Sequence, residues 1–294
     1  PGPGAPHDEL LQLYGIDEEG RIVLQVWFDV EDLDAAIAEL DALHAQFEGE
    51  RPPARRPENT ASQLYERFKA CFAVRDWDAI AATLAENIST EDRRRVVNAG
   101  LRQGPAAVIA EVSGLVDVVR SITSEVVATR GARLCLNRSC TEGYEDFRTY
   151  FLDVVEVDAD GLAVARVVFD PEDFDVAISE LDARYLAGEA AACADTWSAI
   201  TEAFGALNRG EMPPTVSGFT DVDHRTLATV GTGDLMAYLR VALQDTTQNT
   251  IYVEAVHHLT DRGAVVTHVA KGTSRDCLDV EWRLVDTLTV DGDL

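Results

Sequence analysis

Two stretches of this 294-residue chain are nearly the same. Residues 28–42 read FDVEDLDAAIAELDA and residues 169–183 read FDPEDFDVAISELDA, a constant offset of 141 (169 minus 28). Each copy follows a short β-type run, opens with acidic residues and continues with apolar residues at helical spacing, which predicts a strand that passes into a helix. An internal match of this length indicates that the chain is built from repeated units.

A second correspondence sets the extent of the units, since residues 284–291 match residues 151–158 at an offset of 133. The predicted organisation is a β-hairpin plus helix from a partial repeat at 9–47, a linker at 48–58, a first unit at 59–190, and a second unit at 191–294 without its own last strand and helix. We expect residues 9–47 to complete the second unit, in the same chain or across a domain-swapped homodimer, because an open sheet leaves an unpaired edge. The alternative is a loose remainder of an upstream repeat, from a chain cut out of a longer array.

Within each unit the apolar period changes from helical to alternating. Helices are predicted at 33–47, from residue 59 to about residue 86 with Asp76 as an N-cap between two helices, and at 104–119, 174–186, 196–208 and 233–244. Strands are predicted at 9–17, 21–28, 122–129, 132–141, 147–158, 161–169, 250–260, 263–271 and 279–290. A pattern of helices followed by a run of strands predicts an α+β fold.

Composition narrows the classes of partner. The formal net charge of −27 argues against nucleic-acid binding, which needs a basic surface. The five cysteines have no metal-ligand spacing, and a disulfide between Cys135 and Cys140 is the less favoured alternative to a reduced, cytoplasmic protein. No apolar run approaches the length of a membrane span. We therefore expect no metal, cofactor, nucleic acid or membrane.

Four short motifs carry a resemblance to a known family. They are YERF at 65–68, RDWD at 75–78, DRRRVVNAG at 92–100 and LTVDGDL at 288–294. With the order of helices and strands, they resemble the SnoaL-like branch of the NTF2-like superfamily, and more closely the SnoaL-like repeats of large actinobacterial multidomain regulators. The resemblance implies two tandem cones, each a bent antiparallel sheet wrapped on about three helices around an apolar pocket, paired through their sheets as a pseudo-dimer. Family members include enzymes and non-catalytic binding proteins, so the fold alone does not assign a function.

Asp153 and Asp286 occupy equivalent positions in the two units and are the first candidates for catalysis. Asp153 alternates with apolar residues on its predicted strand, and a charge on an apolar strand face is costly unless it is paired or protonated. A pocket carboxylate of this kind acts as a general acid or base in the cyclases and isomerases that the chain resembles. The alternatives are that this face forms a dimer contact, or that each Asp meets an Arg.

A second candidate cluster repeats an Asp–x–Arg spacing. Asp92 and Arg94 in the first unit correspond to Asp223 and Arg225 in the second. In the resembling epoxide hydrolases an Asp–Arg–Asp arrangement activates water, so Asp92, Arg94 and Asp153 could meet in one pocket, as could their counterparts. The favoured alternative is a helix cap or an ion pair that stabilises the fold.

The candidate ligand-binding residues are Tyr252, His257, His258 and Trp282. Adjacent strand residues point to opposite faces, so His257 and His258 cannot hold one metal ion together, although one of them could exchange protons beside Asp286. Tyr252 and Trp282 could stack on an apolar ligand, and ordinary core packing explains them equally well.

These observations favour a non-catalytic tandem module that binds a small apolar ligand or a partner domain within a larger regulator. The alternative is an acid–base enzyme of the SnoaL type that catalyses epoxide hydrolysis, polyketide cyclisation or ketosteroid-type isomerisation with a pocket aspartate. A cavity of ligand size, on the order of 300 Å³, separates both from a structural spacer.

Overall fold

The structure is a computed structural model that describes residues 10–16, 22–50, 57–97, 100–144, 147–224, 235–274 and 279–290. Within these ranges the chain combines helices with three separate β-sheets, which confirms the predicted α+β class. No described helix is long and apolar enough to cross a membrane.

The first described element is a β-hairpin followed by a helix. Strands β1 (Leu10–Ile16) and β2 (Ile22–Asp29) pair antiparallel with one another, and a 3₁₀ turn leads into helix α1 (Leu33–Glu50). Glu31 and Asp32 fill that turn, where acidic groups suit the positive end of the helix dipole. The predicted hairpin and helix are confirmed.

The first cone begins with three helices whose starts are set by local sequence. They are α2 (Thr60–Ala73), α3 (Trp77–Ala81) and α4 (Pro105–Gly114). Asn59 accepts a hydrogen bond from the backbone N–H of Ser62, whose hydroxyl bonds to the Asn59 backbone in return, forming a capping box. Asp76 caps α3 as predicted. Pro at the first position of α4 suits a helix start, since its missing N–H would have no partner there.

A six-stranded sheet completes the first cone. Its strands are β3 (Leu84–Asp92), β4 (Gly100–Gln103), β5 (Val119–Arg130), β6 (Leu134–Gly143), β7 (Arg148–Val157) and β8 (Ala163–Phe169), in the order β4-β3-β8-β7-β6-β5. Neighbouring strands are antiparallel except β3 and β8, which are parallel. Helix α5 (Phe174–Ala187) follows β8.

Residues 84–92 form a strand, whereas the sequence predicts a helix as far as about residue 86 and a helix end at Asp92. Pairing with β8 and β4 outweighs the weak helical pattern of this segment. The alternative of a disulfide between Cys135 and Cys140 is absent, because both lie within β6 and the described cysteines are free thiols.

The second cone repeats part of this arrangement. Helices α6 (Ala194–Asn208) and α7 (Leu235–Asp245) precede strands β9 (Thr246–Thr260), β10 (Gly263–Ser274) and β11 (Asp279–Thr289). The three strands form an antiparallel sheet in the order β11-β10-β9, with β9, β10 and β11 in the places of β5, β6 and β7.

The hairpin repeats the β7–β8 pairing residue by residue. In the first cone the paired residues are Leu152 with Phe169, Asp153 with Val168, Val154 with Val167, Val155 with Arg166, Glu156 with Ala165 and Val157 with Ala163. Subtracting 141 from each number gives the pairs Leu11 with Phe28, Gln12 with Trp27, Leu13 with Val26, Tyr14 with Gln25, Gly15 with Leu24 and Ile16 with Ile22, all of which are present. The ladders also share a register shift, which lies between Glu156 and Val157 in the first cone and between Gly15 and Ile16 in the hairpin.

This identity of register bears on the expected closure of the second cone. β2 corresponds to β8, and the edge of β2 that would face β11 is the edge that β1 occupies in the hairpin. Closure by residues 9–47 stays a prediction, and it would require the β1–β2 pairing to open.

The two faces of the first cone's sheet are buried in two apolar clusters. The inner cluster joins α2, α3 and α4 to one face of the sheet, for example Tyr65 and Phe72 to Val155 and Val157. The outer cluster joins the opposite face to α5, α6 and the β9–β10 strands of the second cone. β5 and β9 are in contact, so equivalent strands of the two cones lie against one another.

A buried arginine links the two cones. Arg130 at the end of β5 is 1% exposed, and its guanidinium donates to the Asp182 carboxylate at 2.6 Å and to the Val253 carbonyl at 3.0 Å. Asp182 also accepts a bond from the Trp197 indole N–H at 3.2 Å, and the Arg130 cation lies over the Trp197 ring. Each charged group is therefore paired and hydrogen-bonded, which is what makes its burial tolerable.

We expect Arg130→Ala to lower the free energy of unfolding by about 3–5 kcal/mol, because the buried Asp182 carboxylate loses its partner. Arg120→Ala is the control, since Arg120 is exposed and lies 3.6 Å from Glu142, and should cost about 1 kcal/mol or less. Urea unfolding followed by tryptophan fluorescence measures both. Equal effects would contradict this assignment.

Candidate functional site

The central residue of the first cone is Asp153, in the middle of β7. It shares the inner face of the strand with Val155 and Val157, as the alternation predicts, and it is 0% exposed. The carboxylate therefore lies inside the cone, among groups that α2 and the neighbouring strands provide.

Three donors surround this carboxylate. Oδ2 accepts bonds from the Tyr65 hydroxyl at 3.2 Å and the Ser139 hydroxyl at 2.9 Å, and Oδ1 accepts one from Arg166 Nε at 3.2 Å. The Tyr65 and Ser139 oxygens lie 3.1 Å apart, so the four side chains form one network. Tyr65 comes from α2, Ser139 from β6 and Arg166 from β8. The alternative in which Asp153 meets an Arg is the one that the structure contains.

Protonation in this network follows from burial and charge. Burial raises the pKa of Tyr65 well above its ordinary value, and the charge of Asp153 adds to the effect. Burial alone would lower the pKa of Arg166, but the charge of Asp153 raises it above its ordinary value. Tyr65 and Arg166 therefore remain protonated donors at neutral pH, and the network holds Asp153 as an acceptor.

Asp92 and Arg94 pair with each other beside this network. Arg94 Nε lies 3.0 Å from Asp92 Oδ1 and its Nη2 lies 2.8 Å from Oδ2, which is a bidentate ion pair. The Arg94 and Arg166 cations both lie over the Phe151 ring, at 5.5 and 5.6 Å from its centroid. Arg94 and Arg166 therefore both contact Phe151, but Arg166 is the cation that is hydrogen-bonded to Asp153. Burial alone would raise the pKa of Asp92, but the hydrogen bonds from Arg94 hold it below its usual value.

A cavity of about 50 Å³ lies beside the network in the first cone. Tyr65 and Arg166 line it together with apolar side chains from α2, α4 and β3, which include Leu64, Phe68, Leu84, Ile88, Val108 and Val112. Asp153 is not among the lining residues. Pockets for drug-sized ligands have volumes of about 300–1,000 Å³, so this cavity is too small for a molecule of that size.

The second cone carries the equivalent aspartate in a different setting. Asp286 Oδ2 lies 2.6 Å from His268 Nδ1, and the Asp286 side chain is 33% exposed. Strand register makes His268 the counterpart of Ser139, because Ser139 pairs with Phe151 as His268 pairs with Leu284. The Phe204 ring of α6 lies 5.4 Å from the imidazole. A titratable ring thus replaces the hydroxyl that fixes Asp153.

The histidine expected beside Asp286 was the wrong one. His257 and His258 are exposed, and His257 Nε2 lies 2.7 Å from the Thr267 hydroxyl. His268 is on the adjacent strand β10, and the β10–β11 ladder, in which Val266 pairs with Asp286 and His268 with Leu284, brings it to Asp286. The alternating pattern within a single strand contains no such information.

The aromatic candidates lie apart from the aspartates. Tyr252 is buried edge-on against Phe174 at 5.1 Å, within the outer cluster, and burial raises its pKa to about 12. Trp282 on β11 is exposed. Asp223 lies at the end of an irregular segment, and Arg225 lies outside the described residues. A place for these residues in a ligand site stays a prediction.

The described residues contain no group of three or more His, Cys, Asp or Glu side chains placed to hold a metal ion. No protein family and no curated protein matches the sequence.

The solved structures that are similar to this chain each cover only part of it. A Δ5-3-ketosteroid isomerase from Mycobacterium sp. is 17% identical, covers 40% of this chain and 96% of its own, with a TM-score of 0.34. An epoxide hydrolase of the LEH type from M. tuberculosis is 16% identical and covers 42% of this chain and 84% of its own, with a TM-score of 0.32. These neighbours are SnoaL/NTF2-like proteins. Another, from M. tuberculosis in complex with estradiol-17β-hemisuccinate, is 16% identical and covers 38% and 93%, with a TM-score of 0.33.

The two equivalent aspartates should differ in their contribution to stability. Asp153→Asn removes the fully buried charge that pairs with Arg166 and should lower the free energy of unfolding by about 3 kcal/mol. Asp286→Asn is the matched control, since its carboxylate is partly exposed, and should cost about 1 kcal/mol or less. Urea unfolding at pH 7 compares them, and a larger cost for Asp286→Asn would contradict the network described here.

The Asp92–Arg94 pair should stabilise the fold only while Asp92 is ionised. Its folded pKa is lowered, so its stabilising effect is present above the unfolded value of about 3.9 and is lost as pH falls through the folded pKa. Arg94→Gln should therefore be less stable than the wild type at pH 7, with a smaller difference at about pH 3. Arg148→Gln, at an exposed position, is the control and should show little change at either pH. A difference for Arg94→Gln that does not depend on pH would contradict this interpretation.

Proposed function

We propose that the chain is a non-catalytic tandem SnoaL-like module that binds a partner protein domain or a small apolar ligand within a larger regulator. Its cones act as a pseudo-dimer, and its location is the cytoplasm. The observation that carries this proposal is the state of Asp153, which is fully buried and bonded to Tyr65, Ser139 and Arg166. A general acid or base needs a lone pair or a proton directed at the substrate, whereas both oxygens of this buried carboxylate accept hydrogen bonds from the core.

Of the two kinds of partner, a protein domain is favoured for the first cone. Its cavity of about 50 Å³ is a small fraction of the space that a steroid-sized ligand fills. At the β6–β7 end of the sheet, Tyr144, Phe147 and Tyr150 are exposed together with Val118. Aromatic side chains are enriched in protein interfaces, where they supply much of the binding energy. Free cysteines among the described residues support the cytoplasmic location.

One observation favours a second candidate, an acid–base enzyme whose site is in the second cone. There the Asp286 carboxylate lies 2.6 Å from His268 Nδ1. A carboxylate and an imidazole side by side are groups that can exchange protons with a substrate. Epoxide hydrolysis, cyclisation and isomerisation all use such a step.

Turnover assays separate the two candidates. For a binding module we expect no acceleration of a model epoxide hydrolysis or a ketosteroid isomerisation above the rate in buffer, because Asp153 does not line the first-cone cavity and that cavity is too small for such a substrate. The assay is run on the wild type, Asp286→Asn, His268→Asn and the matched first-cone variant Ser139→Ala. Turnover that Asp286→Asn and His268→Asn abolish, and that Ser139→Ala leaves intact, would replace this proposal with the enzyme.

A further inference from the structure

Helix α1 exposes an apolar stripe that its counterpart buries. Leu33, Ile37 and Leu40 are each about half exposed, and Leu40 has 52% of its surface accessible. The offset of 141 makes Leu40 the counterpart of Leu181 on α5, which is 0% exposed. Leu33 and Ile37 correspond to Phe174 and Ile178, which pack against the outer cluster of the first cone.

Strand β11 exposes a complementary position. Val285 is 68% exposed on β11, and the offset of 133 makes it the counterpart of Leu152 on β7, which is 1% exposed. Leu152 and Leu181 belong to the same outer cluster. The two exposed patches therefore correspond to the two sides of a contact that the first cone buries.

The edge of β11 shows the same relation. In the first cone, β7 pairs with β6 on one side and with β8 on the other. β11 pairs with β10, and its other edge has no partner among the strands that the structure describes. The element that repeats β8 is β2, by the register identity given above. A free strand edge is a site for strand addition.

We propose that β2 and α1 of one copy close the β9–β11 sheet of a second copy, in the positions that β8 and α5 occupy in the first cone. The register follows from the β7–β8 ladder, with 133 added on one strand and 141 subtracted on the other. The expected pairs are Val285 with Phe28, Asp286 with Trp27, Thr287 with Val26, Leu288 with Gln25 and Thr289 with Leu24. This inference rests on the proposed function only in treating the second cone as a binding unit.

The exchange replaces the β1–β2 ladder with a β2–β11 ladder, so β11 gains a partner and β1 loses one. The gain that favours closure comes from α1, whose Leu33, Ile37 and Leu40 leave water as they cover Val285. Reciprocal exchange between two copies gives a closed twofold dimer, which is the usual result of domain swapping. We place a second copy there because α1 and Val285 are both exposed within the single chain, and a second copy carries the matching strand, helix and register.

Closure would also change the setting of Asp286. Gln25 is the counterpart of Arg166, whose Nε donates to Asp153 in the first cone. Its side-chain amide can donate a hydrogen bond to Asp286, and Trp27 would lie beside the carboxylate. The aspartate would then be buried as Asp153 is, with a neutral amide in place of a guanidinium.

Disulfide formation between engineered cysteines tests the register of β2 against β11 directly. One chain carries Phe28→Cys and a second chain carries Val285→Cys, so a disulfide between residues 28 and 285 joins two copies. The off-register control is Val26→Cys, which places the thiol two residues along the same face of β2. After mild oxidation of each mixture, peptide mass spectrometry should find the 28–285 disulfide at a yield well above that of 26–285.

Association of the full chain gives the second measurement. Analytical ultracentrifugation should show a concentration-dependent dimer, and Leu40→Glu should weaken it about tenfold or more, because the charge must leave water on closure. Ala38→Glu is the matched control on α1 and should leave the dimer unchanged, since its counterpart Ser179 is exposed. Circular dichroism confirms that both variants keep their helices.

The remaining outcomes overturn the inference. A chain that stays monomeric over the whole concentration range, or equal yields of the two disulfides, excludes closure by a second copy. A 28–285 disulfide found only when both cysteines are on one dilute chain assigns closure to the same copy instead. None of these outcomes bears on the turnover assays, so the proposed function and this inference can fail separately.

Discussion

A strand in the middle of a bent sheet needs a partner at each edge and cover on each face, and β7 is the strand on which the first cone depends. β6 and β8 pair with its edges, α5 covers its outer face, and the helices of the cone cover its inner face. Unpaired backbone groups and exposed apolar side chains are both costly, so these four conditions hold together. In the second cone, β11 pairs with β10 at one edge, and its other edge has no partner among the strands that the structure describes.

Asp153 on β7 and Asp286 on β11 occupy equivalent positions but have different surroundings. Asp153 is fixed by a hydroxyl from α2, a hydroxyl from β6 and a guanidinium from β8, so its charge belongs to the structure of the core. Asp286 meets a histidine at the position of Ser139 and keeps part of its surface in water. The difference lies in the neighbouring strands, because both aspartates sit in the same place on equivalent strands.

Much of the fold was predictable, and the misses have physical causes. The internal repeat and the alternation on β7 correctly indicated the strand–helix units and the buried face of Asp153. Residues 84–92 were partly misassigned because their strand is specified by pairing with β8, which is far away in sequence. Tyr65 and Arg166 were not identified as partners of Asp153, since α2 and β8 meet it only in the folded cone. His268 meets Asp286 through the pairing of β10 with β11, which the pattern within either strand does not specify.

The sequence by itself determined the repeat, the α+β class, the equivalence of Asp153 and Asp286, and the equivalence of the hairpin helix with α5. Offsets and apolar periods are properties of the chain order, so they can be read without coordinates. Only the tertiary structure decided which donor each aspartate meets, how small the first cavity is, and which apolar faces are covered. Those properties depend on contacts between strands and helices that are distant in sequence, and local pattern does not specify such contacts.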